Sequence, residues 1–250
     1  NDKHTISLNY TAFGSNEKET YDIQGQYWLS NTSTATELAV GTYMEHARNR
    51  LNSSQHSIKL AYEYRHKEHH IETGAIFRHE AVNEHSREWE FRDSSGYSMP
   101  HNPESLEVIY NLKSDNAISS NHMEMYAQDT WRRESSKGIF SLNYGMRFSY
   151  WSWNKEWLLS PRASLTFIPK NHDNMTFRLA TGLYYQRPFY KELKDTITNG
   201  ATTIVHLNQD IQSQRSFQVI AGYEYRFKIG KRPFLFATEL YYKAQDRLNP

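Results

Sequence analysis

Apolar and polar side chains alternate along most of the chain. Successive side chains of an extended strand leave on opposite faces, so a period of two predicts strands with one apolar and one polar face. A soluble β-sandwich would turn the apolar face toward a second sheet, whereas a membrane β-barrel would turn it toward lipid. The clearest segment is FSLNYGMRFSY, whose apolar positions are Phe140, Leu142, Tyr144, Met146, Phe148 and Tyr150.

The alternation recurs about eleven times, and most of the segments run for about ten residues or more. That length suits a tilted strand crossing a bilayer better than a strand of an ordinary globular sheet. The positions predicted to face outward are Ile6, Leu8, Tyr10; Tyr21, Ile23, Tyr27, Leu29; Leu38, Val40, Met44; Ile58, Leu60, Tyr62, Tyr64; Ile71, Ala75, Phe77; Met123, Met125, Ala127, Trp131; the segment above; Leu159, Ala163, Leu165, Phe167; Met175, Phe177, Leu179, Leu183, Tyr185; Phe217, Val219, Ala221, Tyr223, Tyr225, Phe227; and Phe234, Phe236, Leu240, Tyr242.

Short and long connections also alternate. RESSKG, IPKNHDN and KIGKRP are short turns, while the segments at about 84–118, 151–157 and 187–214 are longer links. Counting hairpins places every long link at one end, as in membrane barrels with short periplasmic turns and long extracellular loops. We therefore predict an all-β, antiparallel transmembrane barrel spanning residues 1–250 as one domain. An odd strand number makes it incomplete, about 11 of roughly 22 strands, with the plug domain and terminal strands absent.

Composition narrows the class of protein further. The mean hydropathy of −0.83, without an apolar run of about 18 residues, excludes a helical membrane protein. The 29 basic and 28 acidic residues leave a net charge of +1, which gives no reason to expect nucleic acid as a partner. There is no cysteine, so disulfides and thiol catalysis are excluded. An aromatic girdle is one interpretation of Tyr150, Trp151, Trp153 and Trp157, although parity turns Trp151 and Trp153 toward the lumen.

Several ordered motifs resemble a known family. HMEMYAQDTW, LNYGMRFSYW, LLSPRASLTFIP, FRLATGLYYQRPFYKEL and RSFQVIAGYEYRF resemble consecutive hairpins from the barrel of TonB-dependent outer-membrane receptors, especially the Bacteroidetes type. The resemblance is carried by about half of the chain, since residues 1–118 share only the alternation. It implies active uptake of a siderophore complex, cobalamin or glycan across the outer membrane of a Gram-negative bacterium. It also implies three partners: outer-membrane lipids, the TonB energy-coupling complex acting through a plug, and a surface lipoprotein.

Two groups of residues are candidates for binding the transported small molecule or glycan. Arg147, Arg162 and Arg178, with Arg226, alternate with the apolar positions and are predicted to face the lumen. They could bind an anionic ligand or plug carboxylates, or instead form a wall network with Glu124, Glu224 and Glu239. The second group lies in the link YYQRPFYKELKD, where aromatic rings beside cations suit an organic ligand, although the loop could equally pack on its neighbours. Its candidates are Gln186, Arg187, Phe189 and Tyr190.

Metal binding and catalysis have weak support in the sequence. His66, His69 and His70 fall in a predicted periplasmic turn, and RHEAVNEHSRE places His79 and His85 six residues apart, so neither matches HExxH. There is no GxSxG motif, and we expect no enzyme activity and no cofactor. Two other interpretations remain open: a smaller outer-membrane barrel that acts as an enzyme or passive channel, and a soluble β-sandwich binding protein.

Overall fold

The computed structural model describes residues 3–31, 33–34, 36–93 and 108–248. Eleven strands and one short 3₁₀ turn, Tyr190–Leu193, account for most of them. In the described part of the chain, no helix is long and apolar enough to cross a membrane. The strands are β1 His4–Asn31, β2 Thr36–His66, β3 His69–Asp93, β4 Val108–Ser135, β5 Gly138–Trp151, β6 Glu156–Pro169, β7 Met175–Gln186, β8 Lys194–Asn199, β9 Thr202–Leu207, β10 Gln214–Ile229 and β11 Arg232–Asp246.

The strands form one antiparallel sheet that does not close. Nine of them follow the order β1-β2-β3-β4-β5-β6-β7-β10-β11, and each is antiparallel to its neighbours. Strands β8 and β9 form a hairpin beside this path, and β9 pairs in parallel with β4 at Asn111–Lys113. Within the described residues β1 and β11 each have one neighbour, so the sheet is a partial barrel. The predicted all-β antiparallel class, including its incompleteness, is confirmed.

The number of strands agrees with the prediction, but the segments that form them differ. The first four predicted segments merge into two strands, β1 of 28 residues and β2 of 31 residues. Polar residues on both faces near the middle of these strands hide their continuity, because the sequence rule detects only apolar alternation. The other two strands, β8 and β9, belong to a predicted loop.

The continuity of β1 corrects part of the predicted outward face. Ile6 pairs with Tyr62, whereas Tyr21 pairs with the fully buried Ala47 at a position of opposite parity. Tyr21 and Ile23 therefore face the other side of the sheet from Ile6, because parity is preserved along an unbroken strand. The side chains of Tyr27, Leu29, Leu38 and Val40, which were also predicted to face outward, lie outside the described residues.

The predicted separation of short and long connections holds only in part among the described residues. Residues 67–68, 136–137, 170–174 and 230–231 form the turns at one end, here called the short-turn end. The opposite end, here called the long-loop end, has the long connection 187–213, but its connection at 152–155 is as short as a turn. The link predicted around 94–107 lies outside the described residues. The predicted links are shorter than expected. Most of 84–118 is strand, and the pair Trp151 and Glu156 continues the β5–β6 ladder into the predicted 151–157 link.

The two faces of the sheet differ in burial. Along β4, Ile118, Ser120, His122 and Glu124 are at most 9% exposed, whereas Met123 and Met125 between and beyond them are 48% and 62% exposed. We call the side of Ile118 and Trp151 the inner face, and the side of Met125 and Phe148 the outer face. No second sheet covers the outer face in the described part of the chain, so the β-sandwich alternative is wrong.

Aromatic side chains border the apolar band of the outer face. Toward the short-turn end, the Tyr62 hydroxyl and His4 Nδ1 are 2.8 Å apart, and the Phe140 and Phe167 rings stack with centroids 4.5 Å apart. Toward the long-loop end, the Trp157 ring lies 4.3 Å from the Tyr150 ring. Trp157 and Tyr150 thus fit the predicted girdle. Trp151 is only 5% exposed on the inner face, as its parity predicted.

Candidate functional site

The segment 187–213 folds back over the inner face instead of extending away from the sheet. Leu193 in this segment is 1% exposed and packs with Val82, Ile118 and Trp151 from three different strands. Strands β8 and β9 follow directly, and β9 adds to the edge of β4 through three residue pairs. Apolar burial and backbone pairing together hold this segment, which we call the inward segment, against the wall.

Glu84 of β3 is the polar anchor of the inward segment. Its carboxylate accepts hydrogen bonds from the Tyr190 hydroxyl at 3.0 Å and from the Ser114 hydroxyl at 2.9 Å, and it forms an ion pair with Lys194. Burial and the Glu84 charge raise the pKa of the Tyr190 phenol, which therefore remains a hydrogen-bond donor at physiological pH. The anchor thus connects two residues of the inward segment to one strand of the wall.

Arg187 forms a second contact between the inward segment and the wall. Its guanidinium lies over the Trp151 ring, 5.6 Å from the centroid, and the Trp151 indole nitrogen donates to Ser120 at 3.2 Å. Burial, together with the charge of nearby Arg78, lowers the pKa of the Arg187 guanidinium below its usual value. An arginine remains charged despite such a shift, so a positive charge is held at the inner face close to a large aromatic surface.

Two cavities lie between the inward segment and the wall. The larger has a volume of about 800 Å³ and lies against the long-loop halves of β1 to β4; its polar lining includes Glu19, Asn49, Glu84, Glu88, Ser114 and Lys194. The smaller, of about 380 Å³, has Gln186, Arg187, Phe189, Tyr190 and Trp151 in its lining. Both volumes fall in the range of small-molecule sites, and both linings combine apolar surface with hydrogen-bonding groups.

The four link residues predicted to bind ligand therefore lie together at the smaller cavity. Phe189 is 64% exposed, whereas Tyr190 and Arg187 are engaged by Glu84 and Trp151. These contacts agree with the alternative in which the loop packs on its neighbours. The four residues nevertheless line the smaller cavity. Their role in ligand binding stays a prediction.

The three predicted lumenal arginines lie on the inner face, but at separate points of the wall. Arg147 donates to Glu124 at 3.1 Å, and Arg178 donates to Glu224 at 2.6 Å. The Arg162 guanidinium stands over the Tyr184 ring at 4.4 Å. Each arginine has a partner on its own or the adjacent strand, which agrees with the wall-network alternative. The structure does not bring them together with Arg187 into one anion site.

Sequence reasoning missed Glu84, Ser114, Leu193 and Lys194. Glu84 and Ser114 fall in 84–118, which was interpreted as a link and therefore given no face. Had β3 and β4 been extended by their parity, both side chains would have been placed on the inner face. Leu193 and Lys194 lie in the predicted link YYQRPFYKELKD but were not among its candidate residues, since no local pattern indicates that the chain turns inward there.

The histidine clusters have ordinary polar partners. His66, His69 and His70 lie at the β2–β3 turn, at the short-turn end as predicted. His79 Nδ1 is 2.9 Å from Asn121, and His85 Nδ1 is 2.5 Å from Asp115. The described residues contain no group of three or more His, Asp or Glu side chains arranged to hold a metal ion.

A match to a family of known proteins covers nearly the whole chain. The family described as TonB dependent receptor-like, beta-barrel matches residues 1–248. The chain belongs to the TonB-dependent receptor family, as part of its β-barrel. No curated protein sequence matches it. Membership agrees with the open antiparallel sheet and the apolar outer face, and it confirms the resemblance found in the motifs. The Bacteroidetes type stays a prediction.

Two solved structures resemble this receptor barrel. One is the ferric enterobactin receptor PfeA in complex with BCV-L6, at 11% identity and a TM-score of 0.38, covering 97% of this chain and 53% of that one. The other is the outer membrane transporter YddB from Escherichia coli, at 11% identity and a TM-score of 0.36, covering 97% of this chain and 46% of that one. The chain thus spans about half the length of each structure.

Proposed function

We propose that this barrel is part of a receptor that takes up a scarce nutrient across the outer membrane of a Gram-negative bacterium. The ligand would bind between the inward segment and the inner face, from the long-loop end. The observation that carries this proposal is the inward segment itself, which leaves two cavities lined by hydrogen-bonding groups. A passive channel or an enzyme has no comparable support in the arrangement of side chains.

The lining of the larger cavity favours one class among the candidate nutrients. Its charged lining residues are Glu17, Glu19, Glu84 and Glu88 with Lys18, Arg50, Lys191 and Lys194. Carboxylates accept hydrogen bonds whereas ammonium and guanidinium groups donate them, so the lining suits a ligand rich in hydroxyl groups, which can do both. Within the range of siderophore complex, cobalamin and glycan, we therefore favour a glycan or a similarly hydroxyl-rich small molecule.

Uptake through this barrel would also require a plug domain and the TonB complex. We propose that a plug domain fills the lumen and couples the receptor to the TonB complex of the inner membrane. The inner-face pairs Arg147–Glu124 and Arg178–Glu224 would then line the surface that meets the plug. A surface lipoprotein that delivers the glycan at the long-loop end completes the proposal.

Uptake measurements with the full-length receptor test this function. Cells with and without a working TonB complex would be offered a labelled oligosaccharide panel, a ferric siderophore and cobalamin. We expect TonB-dependent accumulation of an oligosaccharide. Accumulation of none of these classes, by a receptor that is folded in the outer membrane, would contradict the proposal.

A double variant, Arg187→Ala with Tyr190→Ala, tests the position of the site. We expect weaker binding of the accumulated ligand, by roughly tenfold, because the variant removes two polar groups from the lining of the smaller cavity. The control is Lys170→Ala in the β6–β7 turn at the short-turn end, which should bind normally. Unchanged affinity in a folded double variant would remove the smaller cavity from the site.

A further inference from the structure

A row of polar and aromatic residues borders the smaller cavity on its short-turn side. Glu80 of β3 and Ser120 of β4 belong to the cavity lining. The next inner-face positions toward the short-turn end are Arg78 and His122, which pair with each other across β3 and β4. His122 pairs in turn with Trp151 of β5, which also lines the cavity. Arg78, His122 and Trp151 therefore lie side by side, because directly paired residues occupy the same height in a sheet.

Arg187 of the inward segment brings a second guanidinium to this row. It stands over the Trp151 ring, 5.6 Å from the centroid, and it lines the cavity. His122 is 6% exposed and interacts electrostatically with both Arg187 and Arg78. The two guanidinium groups also interact with each other, and because their charges are alike this interaction is repulsive. Two cations from distant parts of the chain thus approach one buried imidazole.

The acidic groups near the row leave one positive charge without compensation. Arg147 donates to Glu124 at 3.1 Å, so these two charges neutralise each other. Among the other groups that interact with Arg187, Glu80 is then the one carboxylate that remains for Arg78 and Arg187. Two arginines and one glutamate have a net charge of +1. An anionic group with a single negative charge would balance it.

The hydrogen-bond donors of the two arginines are free. In the part of the chain that the structure describes, the side chains of Arg78, Arg187 and Glu80 form no hydrogen bond and no ion pair. The Nε atom of Arg78 is buried without an acceptor. A buried charged donor without a partner is destabilising, and an acceptor supplied by a ligand would relieve this. The smaller cavity, of about 380 Å³, offers space for the rest of that ligand.

We propose that Arg78 and Arg187 bind a carboxylate of the transported ligand, so that the receptor takes up an acidic glycan, one that contains uronate or a similar sugar acid. This inference rests on the proposed function and narrows its substrate class. A guanidinium presents parallel N–H donors that match the two oxygens of a carboxylate. Gln55, Glu80 and Ser120 of the lining would bind hydroxyl groups of the same sugar.

Binding of matched acidic and neutral oligosaccharides to the purified full-length receptor tests the inference. The probes are oligomers of galacturonate, glucuronate and sialate, each compared with its carboxyl-reduced form, in which a neutral hydroxymethyl group replaces the carboxylate. We expect at least one acidic form to bind roughly tenfold or more tightly than its reduced form, because reduction removes charge-assisted hydrogen bonds. Equal affinity within every pair, or binding of no acidic form, would overturn the inference.

Variants of the two arginines locate the carboxylate. Arg78→Gln/Arg187→Gln should lose the preference for the acidic form, because both charges are removed, whereas Arg78→Lys/Arg187→Lys should keep part of it. The matched control Arg132→Gln/Arg133→Gln removes two exposed arginines from β4 near the short-turn end and should bind as the wild type does. Heat-modifiable gel mobility checks folding. A folded glutamine variant that keeps the full preference would contradict the assignment.

Other measurements separate folding, the type of anion and transport. If the double glutamine variant does not fold, Arg187→Gln alone, outside the wall strands, should still weaken the preference. Competition by a sulfated neutral oligosaccharide as strong as that by the acidic form would indicate a general anion site and overturn the carboxylate assignment. Uptake of neutral oligosaccharides without any preference for acid would reject this inference and leave the proposed function intact. Arginine-dependent binding of an acidic form without TonB-dependent uptake would support this inference and contradict the proposed function.

Discussion

Glu84 shows how one side chain can join distant parts of the chain. It lies on β3, yet it receives hydrogen bonds or an ion pair from Ser114, Tyr190 and Lys194, the last two more than 100 positions away. Its side chain is 9% exposed, so loss of the carboxylate would leave a half-buried ammonium and a phenol without their acceptor. The effect of such a change should therefore appear in the inward segment and not in β3.

We predict that Glu84→Ala lowers the free energy of local opening of the inward segment by about 1–3 kcal/mol. Hydrogen exchange of the amides in β8 and β9 measures this change. Glu84→Gln keeps an acceptor for Tyr190 and Ser114 and should be less affected. Glu17→Ala is the control, since Glu17 lies on the inner face and forms no hydrogen bond or ion pair with the described residues of the inward segment. Equal exchange in Glu84→Ala and the wild type would show that Glu84 is not the anchor.

The inward segment is the element that covers part of the inner face of the sheet. It combines the 3₁₀ turn Tyr190–Leu193 with the β8–β9 hairpin. Leu193 is its most buried apolar side chain, whereas Phe189, four positions earlier, is 64% exposed. Truncation of a buried leucine removes transfer free energy and leaves a cavity, whereas truncation of an exposed phenylalanine removes little.

We predict that Leu193→Ala lowers the stability of the closed inward segment by about 2–4 kcal/mol. Limited proteolysis at Lys191 and Lys194 should become faster, while the unfolding temperature of the wall should change little. Phe189→Ala is the matched control and should keep the wild-type cleavage rate. If Leu193→Ala were cleaved no faster than this control, the apolar cluster would not hold the segment.

The described part of the molecule is a single open sheet whose outer face has a continuous apolar band. Pairs such as Ile58 with Phe77 and Met125 with Phe148 bring outward positions of different strands to the same height. Charge on such a face is costly at the level of the bilayer, whereas the inner face already contains charged pairs such as Arg147 and Glu124. Tolerance of charge should therefore depend on the face and not on the strand.

We predict that Met125→Arg destabilises the assembled barrel by about 2–4 kcal/mol. Ser149→Arg, on the inner face where Ser149 pairs with Glu124, should be tolerated. The amount of folded, heat-modifiable receptor in the outer-membrane fraction measures both. Normal assembly of Met125→Arg, together with failure of Ser149→Arg, would reverse the assignment of the two faces.

The sequence by itself determined the fold class, the two faces of most strands and the end at which the long connections lie. These features follow from local periodicity, which burial on one side of a strand imposes on neighbouring residues. The alternation around Arg147 accordingly predicted its inner position. The family was also evident in the sequence, because the motifs from Asn121 onward occur in the order expected for receptor barrels.

Only the tertiary structure decided where the polar halves of β1 to β4 lie and what the 187–213 segment contacts. Polar residues lie on both faces near the middle of β1 and β2, so periodicity does not show that the strands are continuous, and only pairing with the neighbouring strands shows which face each residue shares. The contact of Leu193 with Val82 and Ile118 joins residues that are far apart in the sequence. Such contacts depend on how strands are arranged in space, and therefore the cavities could not be predicted from the order of residues.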